Sequence, residues 1–352
     1  MIKVAIIGAG IGQQHLTGYR ALPERFSVSV MCDLDNSRAA AAIGDDKSIN
    51  IVSDIAVVMS DPDIDLIDIC LPPHLHAPIV IQALEADKDV VCEKPIGRSL
   101  AEVEQMQAAI DKFGGRVFPV FQYRFGLAFA QLSALRAAGL AGKALVASAE
   151  THWNREKPYY DIAWRGTWKG ESGGALLGHA IHSHDILCKV LGPVAQVGAF
   201  TDTRVNDIEV EDCAALSMRM ESGALVTSSV TLGAAPDTSR LKFCFEGLTV
   251  ESGTNPYAPA EDTWTFSARG ATSQEDVDKV LATVPAALSG FTGFLDAIAD
   301  AISGHEGNEV TFEDGRRSIE LVTAIYASAR EGRLVQLPIG KEDALYDGWS
   351  PV

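Results

Sequence analysis

The sequence is short of positive charge. Its 352 residues include 29 Lys and Arg against 47 Asp and Glu, which leaves a formal net charge of −18. A surface of this sign repels phosphate backbones and anionic lipid headgroups, so nucleic-acid binding and membrane-surface roles are disfavoured. We therefore expect no nucleic-acid partner and no membrane partner.

Two kinds of sequence pattern are also missing. The six cysteines are far apart and include no C-x-x-C pair, which disfavours a zinc ribbon, a thioredoxin-type motif and a small disulfide scaffold. No uninterrupted apolar run approaches the ~20 residues of a membrane-spanning helix, and no secretory leader pattern opens the chain. Hydrophobic residues still make up 47% of the chain, enough for a sizeable core. These features predict a cytoplasmic globular protein of about two domains.

The N-terminal third of the chain alternates short apolar runs with helical patterns. The strand candidates are Val4–Ile7, Val28–Cys32, Leu66–Leu71, Val90–Cys92 and Val117–Phe121. The clearest helix between them, Ser99–Ile110, opens with the capping-box form Ser-x-x-Glu. Alternating strands and helices predict parallel βαβ units, so we expect a doubly wound parallel sheet over residues 1–122.

Residues 123–352 have a different texture, in which longer strand candidates follow one another. These candidates are Ala144–Thr151, Val194–Phe200, Cys213–Met220, Ala224–Thr231 and Leu241–Phe245. Consecutive strands with turn signals between them predict an α/β domain with a large open, mostly antiparallel sheet. The helices expected in this domain are His182–Leu191, Phe291–Ser303 and Asp314–Arg330.

Alternating apolar residues in this second sheet predict self-association. Leu216, Met218 and Met220 share one face of a strand, and we expect that face to be exposed on a single chain. A large exposed apolar patch favours burial against another copy. The sequence therefore predicts a homodimer or homotetramer formed through this sheet.

A glycine-rich turn follows the first predicted strand and opens a helix. In Gly8-Ala9-Gly10-Ile11-Gly12, the missing Cβ atoms allow a tight turn and let backbone amides approach a pyrophosphate at a helix N-terminus. Asp33 ends the second strand, where its carboxylate can accept hydrogen bonds from ribose hydroxyls and repel a 2′-phosphate. The pattern favours NAD over NADP. The alternative is a turn without ligand, in which Asp33 caps the next helix.

Several motifs farther along the chain occur together. They are Leu71-Pro72-Pro73-His74-Leu75-His76-Ala77, Cys92-Glu93-Lys94-Pro95, Tyr123-Arg124-Phe125, Trp164-Arg165-Gly166-Thr167, Gly173-Gly174 and His182-x-x-Asp185. In these motifs and their order, the sequence resembles the Gfo/Idh/MocA oxidoreductase family, which includes glucose–fructose oxidoreductase and inositol dehydrogenase. The resemblance implies an N-terminal Rossmann domain, a C-terminal α/β domain whose open sheet mediates oligomer contacts, and Lys94 as the catalytic lysine. The family's D-x-x-x-H pair falls on Gly178 and His182, so its aspartate is absent here. Either another group, His179 or Asp185, replaces that aspartate, or the chemistry differs from sugar dehydrogenation.

The chemistry of alcohol oxidation assigns roles to two of these residues. The hydroxyl proton needs a base that titrates near neutrality, which suits His182, and the developing alkoxide needs a nearby cation, which suits Lys94. Three histidines lie close together at 179, 182 and 184, but no acidic or cysteine ligand set accompanies them, so we expect no metal site. A structural or substrate-binding role for His182 is the alternative.

The remaining candidates contact cofactor or substrate. The cofactor residues expected are Gly8, Gly10, Ile11, Gly12, Asp33, Pro72, His76, Glu93 and Lys94. The substrate residues expected are Tyr123, Arg124, His152, Trp164, Arg165 and His179. Aromatic rings and guanidinium groups suit a small polyhydroxylated or carboxylated ligand.

Together these features predict an NAD-dependent dehydrogenase that acts on a secondary alcohol or carbonyl of a sugar, cyclitol or sugar derivative. Two alternatives follow from the resemblance and from the missing aspartate. The first is a glycosidase or lyase that uses NAD transiently, and the second is a non-catalytic NAD-binding protein.

Overall fold

The computed structural model describes residues 1–305 and 307–351, which divide into two units. The first unit contains residues 1–121 and 291–319, and the second contains residues 122–290 and those from Glu320 onwards. The predicted domain boundary at residue 122 lies where the chain first passes from the first unit to the second. The segment 291–319, which was expected in the second domain, returns to the first unit.

The secondary structure of the described residues alternates first and then becomes richer in strands. The strands are β1 (Ile2–Ile7), β2 (Phe26–Cys32), β3 (Asn50–Val52), β4 (Leu66–Ile69), β5 (Asp89–Cys92), β6 (Val117–Pro119), β7 (Ala144–Asn154), β8 (Val194–Asp202), β9 (Cys213–Met220), β10 (Leu225–Thr231), β11 (Gly233–Phe245), β12 (Leu248–Glu251), β13 (Thr265–Ala268) and β14 (Val335–Gln336). The α-helices are α1 (Gly12–Arg20), α2 (Asn36–Ile43), α3 (Ile55–Met59), α4 (His76–Glu85), α5 (Leu100–Phe113), α6 (Leu127–Ala137), α7 (Lys157–Tyr160), α8 (Trp168–Glu171), α9 (Ile181–Leu191), α10 (Gln274–Leu281), α11 (Gly290–Ile302) and α12 (Phe312–Glu331).

The first unit contains a six-stranded sheet in the order β3-β2-β1-β4-β5-β6, and every neighbouring pair is parallel. This is the strand order of a Rossmann fold. Residues 4–7 of β1 and all of β4 are buried, as expected for short apolar runs covered on both faces by helices. The predicted doubly wound parallel sheet is confirmed.

Helix α11 completes the first unit by packing against α1. A Cβ added at Gly18 would lie 3.1 Å from side-chain atoms of both Leu295 and Phe291, so α1 and α11 approach closely there. Just after α1, the Arg25 guanidinium pairs with Asp296 at 2.9 Å. The returning segment therefore covers α1 with both apolar and ionic contacts.

The second unit contains an eight-stranded sheet in the order β13-β12-β11-β7-β10-β9-β8-β14. The pair β7–β10 is parallel and the other neighbouring pairs are antiparallel. The predicted large, mostly antiparallel sheet is confirmed. Helix α9 lies on one face, where the hydroxyls of Thr151 in β7 and Ser183 in α9 are 3.1 Å apart. The Ser328 hydroxyl of α12 accepts a hydrogen bond from the Ala199 amide of β8 at 3.0 Å and donates one to the Arg333 carbonyl oxygen.

The other face of this sheet is open, and its residues differ from those expected. Leu216, Met218 and Met220 are buried, so they lie on the covered face and the prediction that they are exposed was wrong. Alternation along β9 places Ala215, Ser217 and Arg219 on the open face instead. The open face is thus mainly small and polar, although three apolar side chains are exposed on it: Val146, Phe200 and Leu225.

Within residues 1–305 and 307–351, none of the helices combines the length and the apolar character needed to cross a membrane.

Candidate functional site

The three glycines after β1 meet three different packing requirements. Gly8 has φ +105°, and a Cβ there would lie 2.2 Å from the Cys70 carbonyl oxygen. A Cβ at Gly12 would lie 2.8 Å from Ile6, so this glycine allows α1 to pack closely on β1. A Cβ at Gly10 would meet no described atom within 4 Å, so the backbone there is open to a ligand. These are the roles of the three glycines in a dinucleotide-binding turn.

Asp33 follows β2 directly and is held against this turn. Its Oδ2 accepts a hydrogen bond from the Ala9 amide at 2.8 Å, and its Oδ1 accepts one from the Asp35 amide at 2.8 Å. Helix α2 is capped by Asp35, whose side chain accepts from the amides of Ser37 and Arg38. Asp33 is therefore not the cap of the next helix.

The Glu93-Lys94-Pro95 segment follows β5, at the carboxyl edge of the parallel sheet where ligands bind in such folds. The Glu93 Oε2 accepts a hydrogen bond from the Lys94 amide at 3.0 Å. The buried His76 lies 2.6 Å from the Pro95 carbonyl oxygen through Nδ1 and 2.7 Å from the Leu71 carbonyl oxygen through Nε2. Burial lowers the pKa of His76, so the neutral ring has one N–H to donate to one of these oxygens. The backbone around Lys94 is fixed on both sides.

Behind this segment lies a buried charged group that the sequence reasoning missed. The His15 Nδ1 lies 2.8 Å from the Asp68 Oδ2, and the His15 Nε2 lies 3.1 Å from the Glu93 Oε1. Burial alone would lower the pKa of His15, but the charge of Asp68 and the contacts with Asp68 and Cys70 together outweigh burial and raise that pKa well above its ordinary value. The signal in the sequence was a single aspartate inside the apolar run Leu66–Ile69, which was interpreted only as a strand.

In the second unit, a π-helical turn over Leu176–Ala180 leads into α9 and contains two of the predicted positions. A Cβ at Gly178, where the family's aspartate is missing, would meet no described atom within 4 Å. The His182 ring stacks on the Tyr123 ring with centroids 4.3 Å apart and planes 20° apart. Its position on α9 is thus supported by an aromatic neighbour.

Arg124 and Asp185 form a buried ion pair beside this stack. The Arg124 Nε donates to the Asp185 Oδ2 at 2.6 Å, and a second guanidinium nitrogen donates to Oδ1. Asp185 was a candidate to replace the missing aspartate near His182. The structure instead places its carboxylate on Arg124, so both side chains anchor α9 against the residues that follow β6.

Glu211 anchors the chain just before the π-helical turn. Its carboxylate accepts hydrogen bonds from the Gly174 amide at 3.0 Å, the Leu176 amide at 3.0 Å and the Tyr326 hydroxyl at 2.9 Å. Burial raises the pKa of Glu211 to about 7. This residue was also missed, because nothing in its local sequence distinguishes it from a surface glutamate.

An aromatic and cationic cluster surrounds His179. The Tyr159 hydroxyl lies 3.4 Å from the His179 Nε2, and the Trp153 ring meets the His179 ring edge-on at 5.2 Å. The Arg165 guanidinium lies over the Tyr159 ring at 3.9 Å and over the Trp164 ring at 4.8 Å. Trp164 is 39% exposed, so part of this cluster faces solvent. His179 and Arg165, two of the predicted substrate residues, thus both contact Tyr159.

His152 is not part of this cluster. It alternates along β7 with Thr151 and Trp153, which are both buried on the covered face, so His152 points to the open face of the sheet. There its Nε2 lies 2.8 Å from the Ser229 hydroxyl. The structure therefore separates His152 from His179 and His182.

The three histidines at 179, 182 and 184 also have different surroundings. The His184 Nε2 lies 2.9 Å from the Ser228 hydroxyl, and burial lowers the pKa of His184 to about 4. Among residues 1–305 and 307–351, the group with metal-ligand spacing is His15, Asp68 and Cys70 in the first unit. The 2.8 Å between His15 and Asp68 is a hydrogen-bond distance, whereas two ligands of a tetrahedral zinc lie roughly 3.3 Å apart.

Comparison with known proteins identifies the family. Residues 2–121 match the oxidoreductase family with an NAD-binding Rossmann fold, GFO/IDH/MocA, and residues 129–251 match the GFO/IDH/MocA C-terminal domain. The chain belongs to the Gfo/Idh/MocA family. The resemblance stated from the sequence motifs is confirmed, as is the prediction of an NAD-using oxidoreductase.

Individual family members support the same assignment. The chain is 27% identical to the uncharacterized oxidoreductase YdgJ of Escherichia coli (strain K12), over 94% of this chain and 96% of YdgJ. It is 30% identical to levoglucosan dehydrogenase of Pseudarthrobacter phenanthrenivorans over 57% of this chain, which spans 54% of that protein. The WlbA dehydrogenase of Bordetella pertussis, solved with NADH and UDP-GlcNAcA, superposes with a TM-score of 0.84 at 27% identity, over 96% of this chain and 99% of WlbA.

The first unit is thus an NAD-binding Rossmann domain, and its residues fit the cofactor. The open backbone at Gly10 and the N-terminus of α1 would hold the pyrophosphate, while Asp33 would accept from the ribose. Contacts from Ile11, Pro72 and His76 remain predictions.

Proposed function

We propose that this chain is an NAD-dependent dehydrogenase that oxidises a secondary alcohol of a sugar, cyclitol or sugar derivative. The observation that carries the proposal is the position of Lys94. It follows β5 at the carboxyl edge of the parallel sheet, and the Glu93 carboxylate binds its backbone amide. A lysine in that place suits a reaction in which negative charge develops on a substrate oxygen.

Each residue has a separate task in this proposal. Bound NAD supplies the hydride acceptor, which no side chain can replace. The Lys94 ammonium stabilises the substrate oxygen as its proton leaves. A ring nitrogen of His182 takes that proton, and the stacked Tyr123 ring keeps the imidazole in one orientation. Glu93 holds the lysine backbone, and Arg124 with Asp185 holds α9.

The second unit supports a polyhydroxylated substrate. Tyr159, Trp164 and Arg165 combine aromatic faces with a guanidinium group, and the buried Arg165 Nε has no hydrogen-bond partner among the described residues. Such a surface suits a sugar ring and an acidic or hydroxyl substituent. Levoglucosan dehydrogenase and the WlbA complex with UDP-GlcNAcA indicate the same class of ligand in the family.

The test is to incubate the protein with NAD and a panel of sugars, cyclitols and sugar acids, and to measure NADH formation by absorbance. Oxidation of at least one member with stoichiometric NADH is the expected result. Product formation without NADH accumulation would instead favour the NAD-using glycosidase or lyase. NAD binding without any turnover would favour a non-catalytic protein.

We also propose that copies of the chain associate through the open face of the eight-stranded sheet. The proposal now rests on Phe200, which is 81% exposed on β8, and on the small residues beside it, because the three apolar residues first expected there are buried. Phe200 pairs with Ala215 across β8 and β9, which leaves the aromatic ring prominent. Either a dimer or a tetramer satisfies this interface.

A further inference from the structure

Asp68 is a carboxylate in the middle of a buried parallel strand. It lies in β4, between β1 and β5, and its side chain is wholly buried. An unpaired charge in such a place is strongly unfavourable, so Asp68 needs partners that compensate for its burial. Both carboxylate oxygens lie within hydrogen-bond distance of the His15 Nδ1, at 2.8 and 3.1 Å, and the Cys70 thiol donates to Oδ1 at 3.4 Å.

The other nitrogen of His15 contacts a second carboxylate. The His15 Nε2 lies 3.1 Å from the Glu93 Oε1. An ionised carboxylate only accepts, so both ring nitrogens must carry protons for both contacts to be hydrogen bonds. His15 is then an imidazolium between two carboxylates. The contact with His15 also holds the pKa of Glu93 below its usual range, although burial opposes this.

The chain of contacts ends on the proposed catalytic lysine. The Glu93 Oε1 faces His15, while its Oε2 accepts from the Lys94 amide at 3.0 Å. We propose that Asp68 and His15 are positioning residues for Lys94, acting through the Glu93 side chain. This inference rests on the proposed role of Lys94. It adds that Lys94 keeps its place only while His15 carries two protons.

The surroundings of His15 favour that protonation state. The titratable groups that face His15 and Asp68 are Glu93, Cys70 and Tyr19, and the Phe291 ring of α11 lies 4.4 Å from the imidazole. Burial raises the pKa of the Cys70 thiol and of the Tyr19 phenol, so both stay neutral and leave the charges to Asp68, His15 and Glu93. The net charge of the group is −1.

Asp68→Asn is the decisive variant because it keeps the side-chain size and removes one negative charge. Neutral His15 would then donate to position 68 or to Glu93, but not to both. We expect kcat to fall about 10- to 100-fold at pH 8, the scale of a small displacement of a reacting group, with the NAD Kd within about threefold. The ratio of variant to unmodified kcat should rise towards one as the pH falls, because His15 regains its second proton. Taking the ratio removes the titration of His182, and a loss of stability alone would not produce this pH dependence.

Two further variants control this experiment. Cys70→Ser lies in the same buried group without touching Glu93, and it should keep kcat within about twofold. Glu93→Gln provides a second test if Asp68→Asn fails to fold. Its side chain has one acceptor oxygen where Glu93 uses two, so its kcat at pH 8 should fall as that of Asp68→Asn does.

Deuterium exchange at the Lys94 amide gives a readout independent of turnover. Exchange about fivefold faster in both Asp68→Asn and Glu93→Gln, but not in Cys70→Ser, would support the inference. Unchanged kcat and unchanged exchange in folded Asp68→Asn would overturn it while leaving the dehydrogenase proposal intact. A panel without any turnover would remove the dehydrogenase proposal, and exchange would then decide the contact network alone. One equivalent of metal per chain that disappears in Asp68→Asn would also overturn the ion-triad interpretation.

Discussion

The Arg38 guanidinium lies 3.3 Å from the Asp33 carboxylate. The sequence placed no arginine directly beside Asp33, but the first turn of α2 brings one back to it. Arg38 is about half exposed, and a 2′-phosphate at this end of the site would meet the acid and the arginine together. Asp33 therefore favours NAD, whereas Arg38 favours NADP.

NAD should bind more tightly than NADP, because Asp33 offers acceptors to two ribose hydroxyls and repels a phosphate. Asp33→Ala should weaken NAD binding about 10- to 100-fold, the scale of a charge-assisted hydrogen bond. The difference in affinity between NAD and NADP should therefore become smaller. Arg38→Ala should leave the Kd for NAD within about threefold of the unmodified value and should weaken NADP binding further. Fluorescence titration with both cofactors measures these changes, and tighter NADP binding to the unmodified protein would contradict the assignment.

Lys94→Ala should remove most turnover and leave NAD affinity nearly intact. The expected loss in kcat is on the order of 10²–10⁴-fold, since a cation beside the reacting oxygen disappears while the glycine turn and Asp33 are untouched. Steady-state kinetics on a substrate found in the panel, together with NAD titration, measures both effects. Lys112→Ala on the surface of α5 is the matched control and should behave as the unmodified protein. Retained turnover in Lys94→Ala would remove the lysine from the mechanism.

His182→Ala should lower oxidation by a similar factor, but its deficit should shrink at alkaline pH, where hydroxide can take the proton. A base acts only when unprotonated, so oxidation by the unmodified protein should rise with pH until the base has lost its proton and then level off. The measurement is kcat from about pH 6 to 10. Full activity of His182→Ala throughout that range would show that another group is the base, and His179 would be the first to examine.

Glu211 should make the protein less stable as the pH rises. Burial raises its pKa to about 7, so its contribution is fully present below the ordinary glutamate pKa and is lost as the pH rises through 7. The change amounts to about 3 kcal/mol in the free energy of unfolding. Denaturant titrations at pH 5 and pH 8 should show that Glu211→Gln loses less stability over this interval than the unmodified protein. Glu221→Gln, at an exposed position, should follow the unmodified protein, and parallel behaviour of all three would refute the assignment.

Phe200→Asp should weaken self-association, because it replaces an exposed aromatic ring of the proposed interface with a charge. Light scattering at micromolar concentration should give a particle of at least twice 37.5 kDa for the unmodified protein and a smaller one for the variant. Arg219→Ala, farther along the same face, tests whether any change there has this effect. A single-chain particle for the unmodified protein would exclude the interface.

The sequence was sufficient where local patterns determine structure. Short apolar runs predicted the central strands of the first sheet, and the glycine turn predicted the fold at Gly8 and Gly12 because only a residue without Cβ fits there. Residue alternation also showed that β9 has one buried face. Alternation could not show which face of the sheet other elements cover. Helices α9 and α12 cover the face that contains Leu216, and His152 lies on the opposite face.

Long-range partners were beyond the sequence patterns. Asp68 is 53 residues from His15, and Arg124 is 61 residues from Asp185. Each side chain alone resembles a polar interruption or a surface charge. Only the packing of β4 beside α1, and of α9 beside the segment after β6, makes them partners.

The return of residues 291–319 to the first unit determines the order of events during synthesis. The contacts of Leu295 and Asp296 with the α1 region cannot form until α11 has left the ribosome, long after all six strands of the parallel sheet have emerged. In the interval, the whole stretch 122–290 is synthesised while one surface of α1 remains uncovered. The nucleotide-binding unit, although it starts first, is therefore completed only after most of the second unit has been made.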